Sequence, residues 1–327
     1  MSRLRKVRFS TEPWEFKTPF KITGYTFSVI KLLHVAITQR GVSGCGEATG
    51  IYYMGETGEL MLAQANSVKQ ALEQGLNREE LRSLLPAGGA RNAIDCALWD
   101  LQAKLERKSI WELTGIKPGA IHSTNTIGLG TPEDMAITAK SLDSRLIKVK
   151  LDSELPFERV AAVCAARPDA EILVDVNQGW KFDQLVELAP RFAKLGVAMI
   201  EQPLPRGGDD QLETYRPPLP LCADESCLDT SEFEQAARRY QMINIKLDKT
   251  GGLTEALELA AMARARGIGL MVGNMGGTSL AMAPGFVVAQ LCRFVDLDGA
   301  LFLSKDRANP MRYNAGVLSA PSAALWG

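Results

Sequence analysis

The chain has 327 residues, which is enough for one large barrel or two domains, and its hydrophobic content of 46% and charged content of 23% are typical of a water-soluble globular protein. The net charge of −1 gives no electrostatic reason to expect nucleic acid or an anionic membrane as a partner, and no apolar run reaches the roughly 18 residues that a membrane-spanning helix needs. The polar start argues against a signal peptide, and 6 cysteines without Cys-x-x-Cys spacing favour a reduced, cytoplasmic protein.

The first part of the chain alternates in a strand-like way and then becomes helical in its periodicity. Strands are predicted at Lys6–Phe9, Thr26–Lys31 and Leu33–Thr38. Loops are predicted at Lys17–Gly24 and Gly50–Gly55, and helices at 57–74, 78–85 and 89–107. Residues 1–118 are therefore predicted to form an α+β N-terminal capping domain that ends at Lys117-Pro118-Gly119.

From residue 119 onwards, short apolar strands alternate with helical stretches. After Lys150, successive strands end at steps of 25, 26, 23, 22, 27 and 23 residues, on Asp175, Glu201, Asp224, Lys246, Gly273 and Asp296. This alternation indicates parallel βαβ units, and polar residues at successive strand ends are typical of a barrel with its active site on that face. We predict an α/β fold in which residues 119–305 form a modified TIM barrel, (β/α)7β. The tail 306–327, with one strand near 311–318, is predicted to fold back onto the capping domain.

Three carboxylates, Asp175, Glu201 and Asp224, end consecutive predicted strands and would converge at one rim of the barrel. Hard oxygen ligands without clustered His or Cys favour Mg²⁺ over zinc. The alternative is helix capping or loop solvation at strand ends. That alternative explains a single carboxylate well, but it explains three on consecutive strands poorly.

Lysines flank these carboxylates on the predicted barrel. Lys148 and Lys150 share one face of the strand in Leu146–Asp152, because side chains alternate across a strand. Lys150 and Lys246 would face each other across the barrel mouth, so one could remove an α-proton while the other delivers one. Lys148 and a nearby divalent cation would lower the pKa of such a base. The alternative, structural salt bridges, accounts for Lys148 but not for two lysines that bracket the acids.

Five motifs lie at the predicted strand ends: Lys148-Val149-Lys150, Asp175-Val176-Asn177, Glu201-Gln202-Pro203, Asp224-Glu225-Ser226 and Asn244-Ile245-Lys246-Leu247-Asp248-Lys249-Thr250-Gly251-Gly252. Together they resemble the enolase superfamily, in its muconate-lactonising branch, and most of all the dipeptide epimerases of the Ala-Glu type. The resemblance covers nearly the whole chain. It implies a Mg²⁺-dependent epimerase that performs a 1,1-proton transfer, through an enediolate, at the α-carbon of a dipeptide's C-terminal residue.

The resemblance also implies a role for each strand-end residue. The three carboxylates would hold Mg²⁺, and Lys150 and Lys246 would be the two-sided acid/base pair. Lys148 would tune Lys150 and contact the substrate carboxylate. Members of the family commonly self-associate, so a homo-oligomer is an option that the sequence leaves open.

Two aspartates of the last strand distinguish the candidate activities. By resemblance, Asp296 and Asp298 would meet the α-ammonium of the dipeptide and Thr126 would contact the substrate, although a charged strand end explains the aspartates equally well. Other activities of the branch act on substrates without a free α-ammonium: cycloisomerase, o-succinylbenzoate synthase and N-acylamino acid racemase. A non-catalytic metal-binding barrel is a further alternative, and the lysines on both sides argue against it.

The first capping loop departs from the Ala-Glu pattern. Relatives that act on Ala-Glu place an arginine there, and alignment on Thr18-Pro19-Phe20 puts Phe27 at that position, with Lys21 as the nearby cation. The capping loops also offer apolar and aromatic side chains, at Phe20, Ile22, Tyr25, Ile51, Tyr52, Tyr53 and Met54. We therefore predict Phe27 and Tyr53 as substrate contacts and an apolar or aromatic C-terminal side chain in the preferred dipeptide. The alternative is that Lys21 or a tail residue binds a glutamate side chain.

Overall fold

The structure, a computed structural model, describes residues 4–327 and shows an α/β protein with a separate N-terminal domain. This domain begins with an antiparallel sheet in which strand β1 (Lys6–Ile22) pairs with β2 (Tyr25–Gln39), and β2 pairs with β3 (Val42–Ala48). The predicted strand at Lys6–Phe9 is present as part of the longer β1, and the strands predicted at Thr26–Lys31 and Leu33–Thr38 form one continuous strand, β2. Strand β3 was not predicted.

Strands β1 and β2 form a long hairpin, here called the capping hairpin. The prediction of a loop at Lys17–Gly24 was wrong for most of its length, because β1 continues to Ile22. Regular pairing is interrupted between Glu15 and Phe20, where Pro19 has no backbone N–H to donate, and it resumes with Phe20 opposite Phe27. The hairpin therefore carries aromatic side chains out to its tip.

The helices of the N-terminal domain pack against this sheet or against its central helix. They are α1 (Gly58–Ser67), α2 (Lys69–Glu73), α3 (Arg78–Leu84), α4 (Gly89–Glu106) and α5 (Ile110–Thr114). The predicted helix at 57–74 is split into α1 and α2, and the other two predicted helices are present. Helix α4 lies so close to β3 that glycine is required at two positions of the strand. A Cβ atom at Gly44 would overlap the carbonyl oxygen of Ala97, and one at Gly46 would overlap that of Ala93.

The second part is built around a curled sheet of parallel strands that follows β4 (Ile121–His122). Its eight strands are β5 (Asn125–Ile127), β6 (Leu146–Lys150), β7 (Glu171–Asp175), β8 (Met199–Glu201), β9 (Leu221–Ala223), β10 (Met242–Lys246), β11 (Gly269–Gly273) and β12 (Phe294–Val295). They lie side by side in chain order, and the Thr124 amide donates a 2.7 Å hydrogen bond to the Val295 carbonyl, which brings β12 next to β5. The predicted α/β barrel-type fold is confirmed.

Helices cover the outside of the curled sheet. They are α6 (Pro132–Ser141), α7 (Pro156–Ala166), α8 (Phe182–Lys194), α9 (Phe233–Arg239), α10 (Leu247–Thr250), α11 (Leu253–Ala265) and α12 (Ser279–Ala289). Helix α6 starts where the sequence predicts, because the Thr131 hydroxyl accepts a hydrogen bond from the Asp134 amide and Pro132 opens the helix. Among residues 4–327, no helix is long and apolar enough to cross a membrane.

The tail returns to the N-terminal domain. Strands β13 (Tyr313–Asn314) and β14 (Val317–Leu318) form a short hairpin that pairs with β4. Further on, the Trp326 indole N–H donates to the Cys96 carbonyl at 3.0 Å and the Gly327 amide donates to Asp100 at 2.8 Å, both on α4. The domain boundary at 118/119 stays a prediction.

Candidate active site

The C-terminal ends of the parallel strands form one rim, and most of the residues singled out from the sequence lie there. Parallel register places Lys150 of β6 beside Asp175 of β7, and Asp175 beside Glu201 of β8. Asp224 directly follows β9 and Lys246 ends β10. Side chains at strand ends on the same face of neighbouring strands must converge, so the regular period in the sequence becomes a cluster in space.

Lys148 is the centre of this cluster. Its ammonium lies 2.9 Å from Asp175, 2.8 Å from Glu201 and 2.8 Å from Asp296, and its side chain is 1% exposed. A buried ammonium is tolerated only when it is paired, and here three carboxylates surround it. Lys148 is therefore in direct contact with two of the three predicted metal ligands.

The other two predicted catalytic lysines also pair with the predicted ligands. Lys150 lies 2.6 Å from Asp175 and donates a 3.0 Å hydrogen bond to Asn177, and Lys246 lies 2.6 Å from Asp224. Because side chains on the curled sheet are fixed by these contacts, both lysines are held at defined positions on opposite sides of the carboxylates.

Several buried side chains at the rim were not assigned a role from the sequence, among them Lys249 and Asn244. Lys249 lies 2.8 Å from the Asp224 carboxylate and donates to the carbonyls of Asp224, Cys227 and Asn244 at 2.6, 2.9 and 2.8 Å. Asn244 donates to Glu201 at 2.7 Å. A signal for Asn244 was available, since it lies two residues before Lys246 on a strand and so shares its face.

The donor set and the charge balance suit a divalent cation. Glu201 Oε2 and Asp224 Oδ1 accept no well-directed hydrogen bond, although an ammonium nitrogen lies 2.8 Å from each. Six carboxylates and four lysines are buried here, an excess of two negative charges when all are ionised; they are Asp175, Glu201, Asp224, Glu225, Asp296, Asp298, Lys148, Lys150, Lys246 and Lys249. Among the described residues, ammonium groups separate the acids, and no three of them gather in metal-binding geometry. By ligand type and net charge, these residues nevertheless fit Mg²⁺.

The ion pairs set the pKa values at the rim. Burial raises the pKa of Asp175, but the ammonium groups of Lys148 and Lys150 outweigh burial and hold this pKa below its usual value. Burial lowers the pKa of Lys246, but the carboxylates of Asp224 and Glu201 raise it above its usual value. The sequence argument expected Lys148 and a divalent cation to lower the pKa of a lysine base; the carboxylates near Lys246 act in the opposite direction, and a lowered pKa with Mg²⁺ bound stays a prediction.

A cavity opens at the rim beneath the capping hairpin, and both Lys150 and Lys246 line it. Thr126, Asp296 and Asp298 line it as well. Burial and the neighbouring Asp296 raise the pKa of Asp298 to about 8. The predicted acid/base pair and the predicted aspartates therefore share one cavity.

The two aspartates differ in their partners. Asp296 pairs with Lys148 and accepts hydrogen bonds from the hydroxyls of Thr124 and Thr126 at 2.7 and 3.3 Å. Asp298 accepts one from the Thr126 amide at 2.8 Å and has no ion-pair partner among the described residues. Asp298 is therefore the aspartate whose carboxylate can form an ion pair with a cation in the cavity.

Aromatic side chains form the outer wall of the cavity: Phe16, Phe20, Phe27, Tyr52 and Phe302. The Phe20 and Phe302 ring centroids are 4.6 Å apart, and those of Phe27 and Tyr52 are 5.1 Å apart. Tyr53, named from the sequence, does not line the cavity; its hydroxyl is buried without a hydrogen-bond partner, and Tyr52 takes the predicted place. Phe16 and Phe302 were not foreseen.

No arginine of the described residues lines this cavity. Lys21, the cation close to Phe27 in the sequence, is exposed and is not part of the lining. The two lysines that do line the cavity are Lys150 and Lys246, and each already pairs with a predicted metal ligand. The aromatic wall therefore carries no cation of its own.

Comparisons with known proteins agree with this geometry. Residues 134–324 match the family described as Enolase C-terminal domain-like, and residues 4–115 match the Mandelate racemase / muconate lactonizing enzyme, N-terminal domain. The chain is 44% identical over 319 residues to the L-Ala-D/L-Glu epimerase of Escherichia coli (strain K12), a match that covers 96% of this chain and 99% of that protein.

Solved structures give the same picture. An enolase family member from Agrobacterium tumefaciens with homology to dipeptide epimerases, with bound sodium and L-Ala-L-Glu, has a TM-score of 0.96 and 38% identity, covering 99% of this chain and 100% of that chain. The dipeptide epimerase from Methylococcus capsulatus, complexed with Mg and the dipeptide L-Arg-D-Lys, has a TM-score of 0.90 and 30% identity, covering 98% and 97%. Like these relatives, the chain is an enzyme of the racemase and epimerase class. The resemblance read from the strand-end motifs is confirmed, and the chain belongs to the enolase superfamily, in the mandelate racemase / muconate lactonizing enzyme family.

Proposed function

We propose that this enzyme is a Mg²⁺-dependent dipeptide epimerase that inverts the α-carbon of the C-terminal residue. The observation that carries the proposal is the placement of Lys150 on β6 and Lys246 on β10, which line one cavity with the three carboxylate-bearing strands between them. Inversion at one carbon needs a proton acceptor on one face and a proton donor on the other. Two lysines on opposite sides of a cavity supply both.

Mg²⁺ is the cofactor, and Asp175, Glu201 and Asp224 are the residues that would hold it. When bound, the metal supplies positive charge that stabilises the negative charge developing on the substrate carboxylate as the α-proton leaves. Lys148 lies against two of the three ligands and would add a further positive charge at that carboxylate. These groups are buried, so they need no rearrangement of water during the reaction.

The two lysines exchange roles with the direction of the reaction. In one direction Lys150 Nζ takes the α-proton and Lys246 Nζ gives a proton to the opposite face of the carbon, and in the other direction the transfers are reversed. Asn177 accepts from Lys150 at 3.0 Å and Asp224 accepts from Lys246 at 2.6 Å, so each nitrogen is held in place from behind. Holding both reacting nitrogens at fixed positions contributes to rate by orienting the reaction.

Asp298 supports a dipeptide substrate over an N-acylated amino acid. Its carboxylate lines the cavity, and Thr126 is its hydrogen-bond partner among the described residues. A dipeptide presents an α-ammonium that can pair with it, whereas an N-acyl substrate would leave it unpaired. An N-acylamino acid racemase is the alternative function, and activity on N-acyl substrates above activity on dipeptides would favour it.

The aromatic wall supports an apolar or aromatic C-terminal side chain. Burying such a side chain against Phe16, Phe20 and Phe27 would gain roughly 1.5–3 kcal/mol. A glutamate side chain would meet no cation in the lining outside the paired lysines, and an under-paired buried carboxylate costs several kcal/mol. By name, the relatives act on acidic, basic or hydrophobic dipeptides, so the fold alone does not determine the preferred side chain, and we assign that role to the aromatic wall.

A dipeptide library incubated with enzyme and Mg²⁺ in D₂O tests the function. We expect one deuterium at the α-carbon of the C-terminal residue together with formation of the epimer, read by mass spectrometry and chiral chromatography. The same library with the Lys150→Met/Lys246→Met double variant is the control. If no dipeptide exchanges its α-proton with the wild-type enzyme, the proposal is wrong.

A comparison of kcat/KM tests the side-chain preference separately. We expect Ala-Leu or Ala-Phe to exceed Ala-Glu by about tenfold or more, which corresponds to about 1.4 kcal/mol in transition-state binding. A preference of that size for Ala-Glu would show that another group binds the acidic side chain. It would leave the epimerase proposal intact.

Two earlier expectations stay predictions. A cytoplasmic location follows from the cysteine usage, and fractionation of the native host would test it. A homo-oligomer is the option that the resemblance leaves open, and light scattering of the purified enzyme would measure it.

A further inference from the structure

The side chain of Arg307, in the tail, contacts two strands of the N-terminal domain at once. Its Nη1 lies 2.7 Å from Glu12 on β1, and its Nε and Nη2 lie 2.9 and 2.6 Å from Glu47 on β3. Its guanidinium also lies over the Trp14 ring, 4.7 Å from the centroid. One cation therefore joins the capping hairpin to the strand behind it.

Glu47 extends this contact to the wall of the cavity. It is fully buried, and it accepts hydrogen bonds from the Thr278 amide at 2.9 Å and the Thr278 hydroxyl at 2.8 Å. Thr278 ends the loop 274–278 that connects β11 to α12, and Asn274, Met275 and Gly276 of this loop line the cavity. From the same side, the Thr49 hydroxyl donates to the Gly276 carbonyl at 2.8 Å.

The catalytic groups are held by separate contacts. Lys150 and Lys246 are fixed by Asp175 and Asp224, and neither lysine contacts Glu47 or Arg307. A change at Arg307 therefore reaches the cavity through the hairpin and the loop 274–278. The lysines and carboxylates of the rim would keep their arrangement.

We infer that Arg307 is a positioning residue, which fixes the capping hairpin against the loop 274–278 and so sets the shape of the cavity in which the substrate side chain binds. This inference rests on the proposed function for its kinetic consequence. The hairpin carries Phe16, Phe20 and Phe27, and the loop forms the facing wall. Losing Arg307 loosens both walls and weakens substrate binding more than the chemical step.

The chemistry of the contacts explains why arginine suits this position. Glu47 has Arg307 as its cationic partner among the described residues, and a buried carboxylate without one is strongly unfavourable. The guanidinium is planar and carries several N–H donors, so it can bind Glu47 through two nitrogens and reach Glu12 with the third. A lysine offers one nitrogen and cannot span both acids in this way.

The test uses the full-length enzyme with Arg307→Met, Arg307→Lys and the matched control Lys305→Met. Lys305 is also a tail cation close to the Trp14 ring, at 5.0 Å, but it forms no ion pair among the described residues. Because Arg307→Met leaves Glu47 buried and uncompensated, a fourth variant, Glu47→Gln/Arg307→Met, removes both charges and keeps an acceptor for Thr278. This variant keeps the test decisive if the single variant folds poorly.

Two readouts decide the inference. We expect KM to rise about tenfold in Arg307→Met with kcat within about threefold, an intermediate KM in Arg307→Lys, and wild-type values in Lys305→Met. Hydrogen exchange without substrate should become faster in both the hairpin peptides, 6–22 and 25–39, and the peptide that covers 269–280. Faster exchange confined to the tail, or an unchanged KM in the double variant, would overturn the inference.

The exchange readout also separates this inference from the proposed function. It needs no substrate, so a wild-type enzyme that epimerises no dipeptide would refute the proposed function while the exchange pattern still decides the role of Arg307. Conversely, normal epimerisation with unchanged exchange in Arg307→Met refutes the positioning role alone.

Discussion

The rim and the capping hairpin enclose the same cavity, yet they are held in different ways. At the rim, Lys148, Lys150 and Lys246 are buried and lie within 2.9 Å of their carboxylate partners. On the hairpin, Phe16, Phe20 and Phe27 are half-buried and contact one another or nearby rings at centroid distances of 4.6–6.5 Å. The side chains of the rim are held by directional charge pairs, whereas the aromatic side chains of the hairpin that line the cavity are held by non-directional contacts.

This difference separates chemistry from specificity. Charge pairs in a buried site hold reacting groups to within fractions of an ångström, as proton transfer requires. Aromatic contacts tolerate small shifts and exchange of one ring for another, so a hairpin wall can change its preferred side chain without disturbing the lysines. Substitutions at the rim should therefore change rate, and substitutions on the hairpin should change preference.

The largest effect is expected from the lysines. Lys246→Ala should lower epimerisation at least about 10³-fold in both directions, because each direction needs one acid and one base. The fold should persist, because Asp224 keeps Lys249 as a second partner at 2.8 Å. The same holds for Lys150→Ala, since Asp175 keeps Lys148 at 2.9 Å. Kinetics with both epimers as substrates measure the loss.

The lysine prediction has a sharper form. In each single variant, deuterium exchange should survive with one epimer only, because the remaining lysine still reaches its own face of the carbon. If Lys246→Ala epimerises at the wild-type rate, the assignment of two bases is wrong. If exchange is lost with both epimers, the lysines depend on each other more than their separate ion pairs suggest.

The metal ligands should show the next largest effect. Asp175→Asn, Glu201→Gln and Asp224→Asn should each lower Mg²⁺ affinity at least about 100-fold, because each removes a charged oxygen ligand. Isothermal titration with Mg²⁺ measures this without reference to activity. A matched control is Glu171→Gln, at the exposed opposite end of β7, where Arg293 is its ion-pair partner within residues 4–327. Unchanged Mg²⁺ binding in all three ligand variants would contradict the assignment.

The same contrast explains how much could be predicted from the sequence. The rim was predictable because a polar residue closes most of the apolar strands at a regular period, and parallel strands must bring these ends together. The hairpin was less predictable, because Lys17–Gly24 contains turn-forming residues and yet continues as strand. Tyr52 and Tyr53 lie on a 3₁₀ turn, where neighbouring side chains point about 120° apart, and the sequence does not set the direction of either.

Contacts between distant residues were the least predictable. Arg307 and Glu47 are 260 positions apart, and neither belongs to a repeated pattern that marks it as special. Such a pair depends on how the tail returns across the N-terminal domain, and that path is decided by packing of the whole chain. Periodicity predicts which face a side chain takes on its own strand, but it carries no information on a partner from another domain.

A third effect is expected where the two domains meet, at Asp95 on α4. Burial raises the pKa of Asp95 to about 6, although Thr254 of α11 donates a 3.0 Å amide hydrogen bond to it. The folded state therefore binds a proton more tightly than the unfolded state between pH 4 and 6. Stability from this group is present at low pH and is lost as pH rises through that window, by at most about 3 kcal/mol.

Asp95→Asn should remove this part of the pH dependence. Denaturant unfolding at pH 4.5, 5.5 and 7 should give a smaller decrease in the free energy of unfolding for the variant than for the wild type. Asp169→Asn is the control, because hydrogen bonding to Arg167 lowers the pKa of Asp169 to about 2, so it titrates below the window. An equal pH dependence in Asp95→Asn and wild type would mean that ionisation of Asp95 does not change the free energy of unfolding.

The smallest effect is expected on the hairpin, and it is the most direct test of the comparison. Phe27→Arg adds a guanidinium to the aromatic wall, where it can bind a carboxylate through two nitrogens. We expect the ratio of kcat/KM for Ala-Glu to that for Ala-Leu to rise about tenfold, or about 1.4 kcal/mol, with little change in the best kcat, because the rim is untouched. Val29→Arg is the control: Val29 lies two residues further along β2, is 49% exposed and does not line the cavity, so the same added charge should leave the ratio unchanged. An equal change of this ratio in both variants would mean that the added charge acts at long range and that position 27 does not determine specificity. A fall in kcat with every dipeptide would mean that the hairpin also positions the reacting carbon, and the separation of chemistry from specificity would then fail.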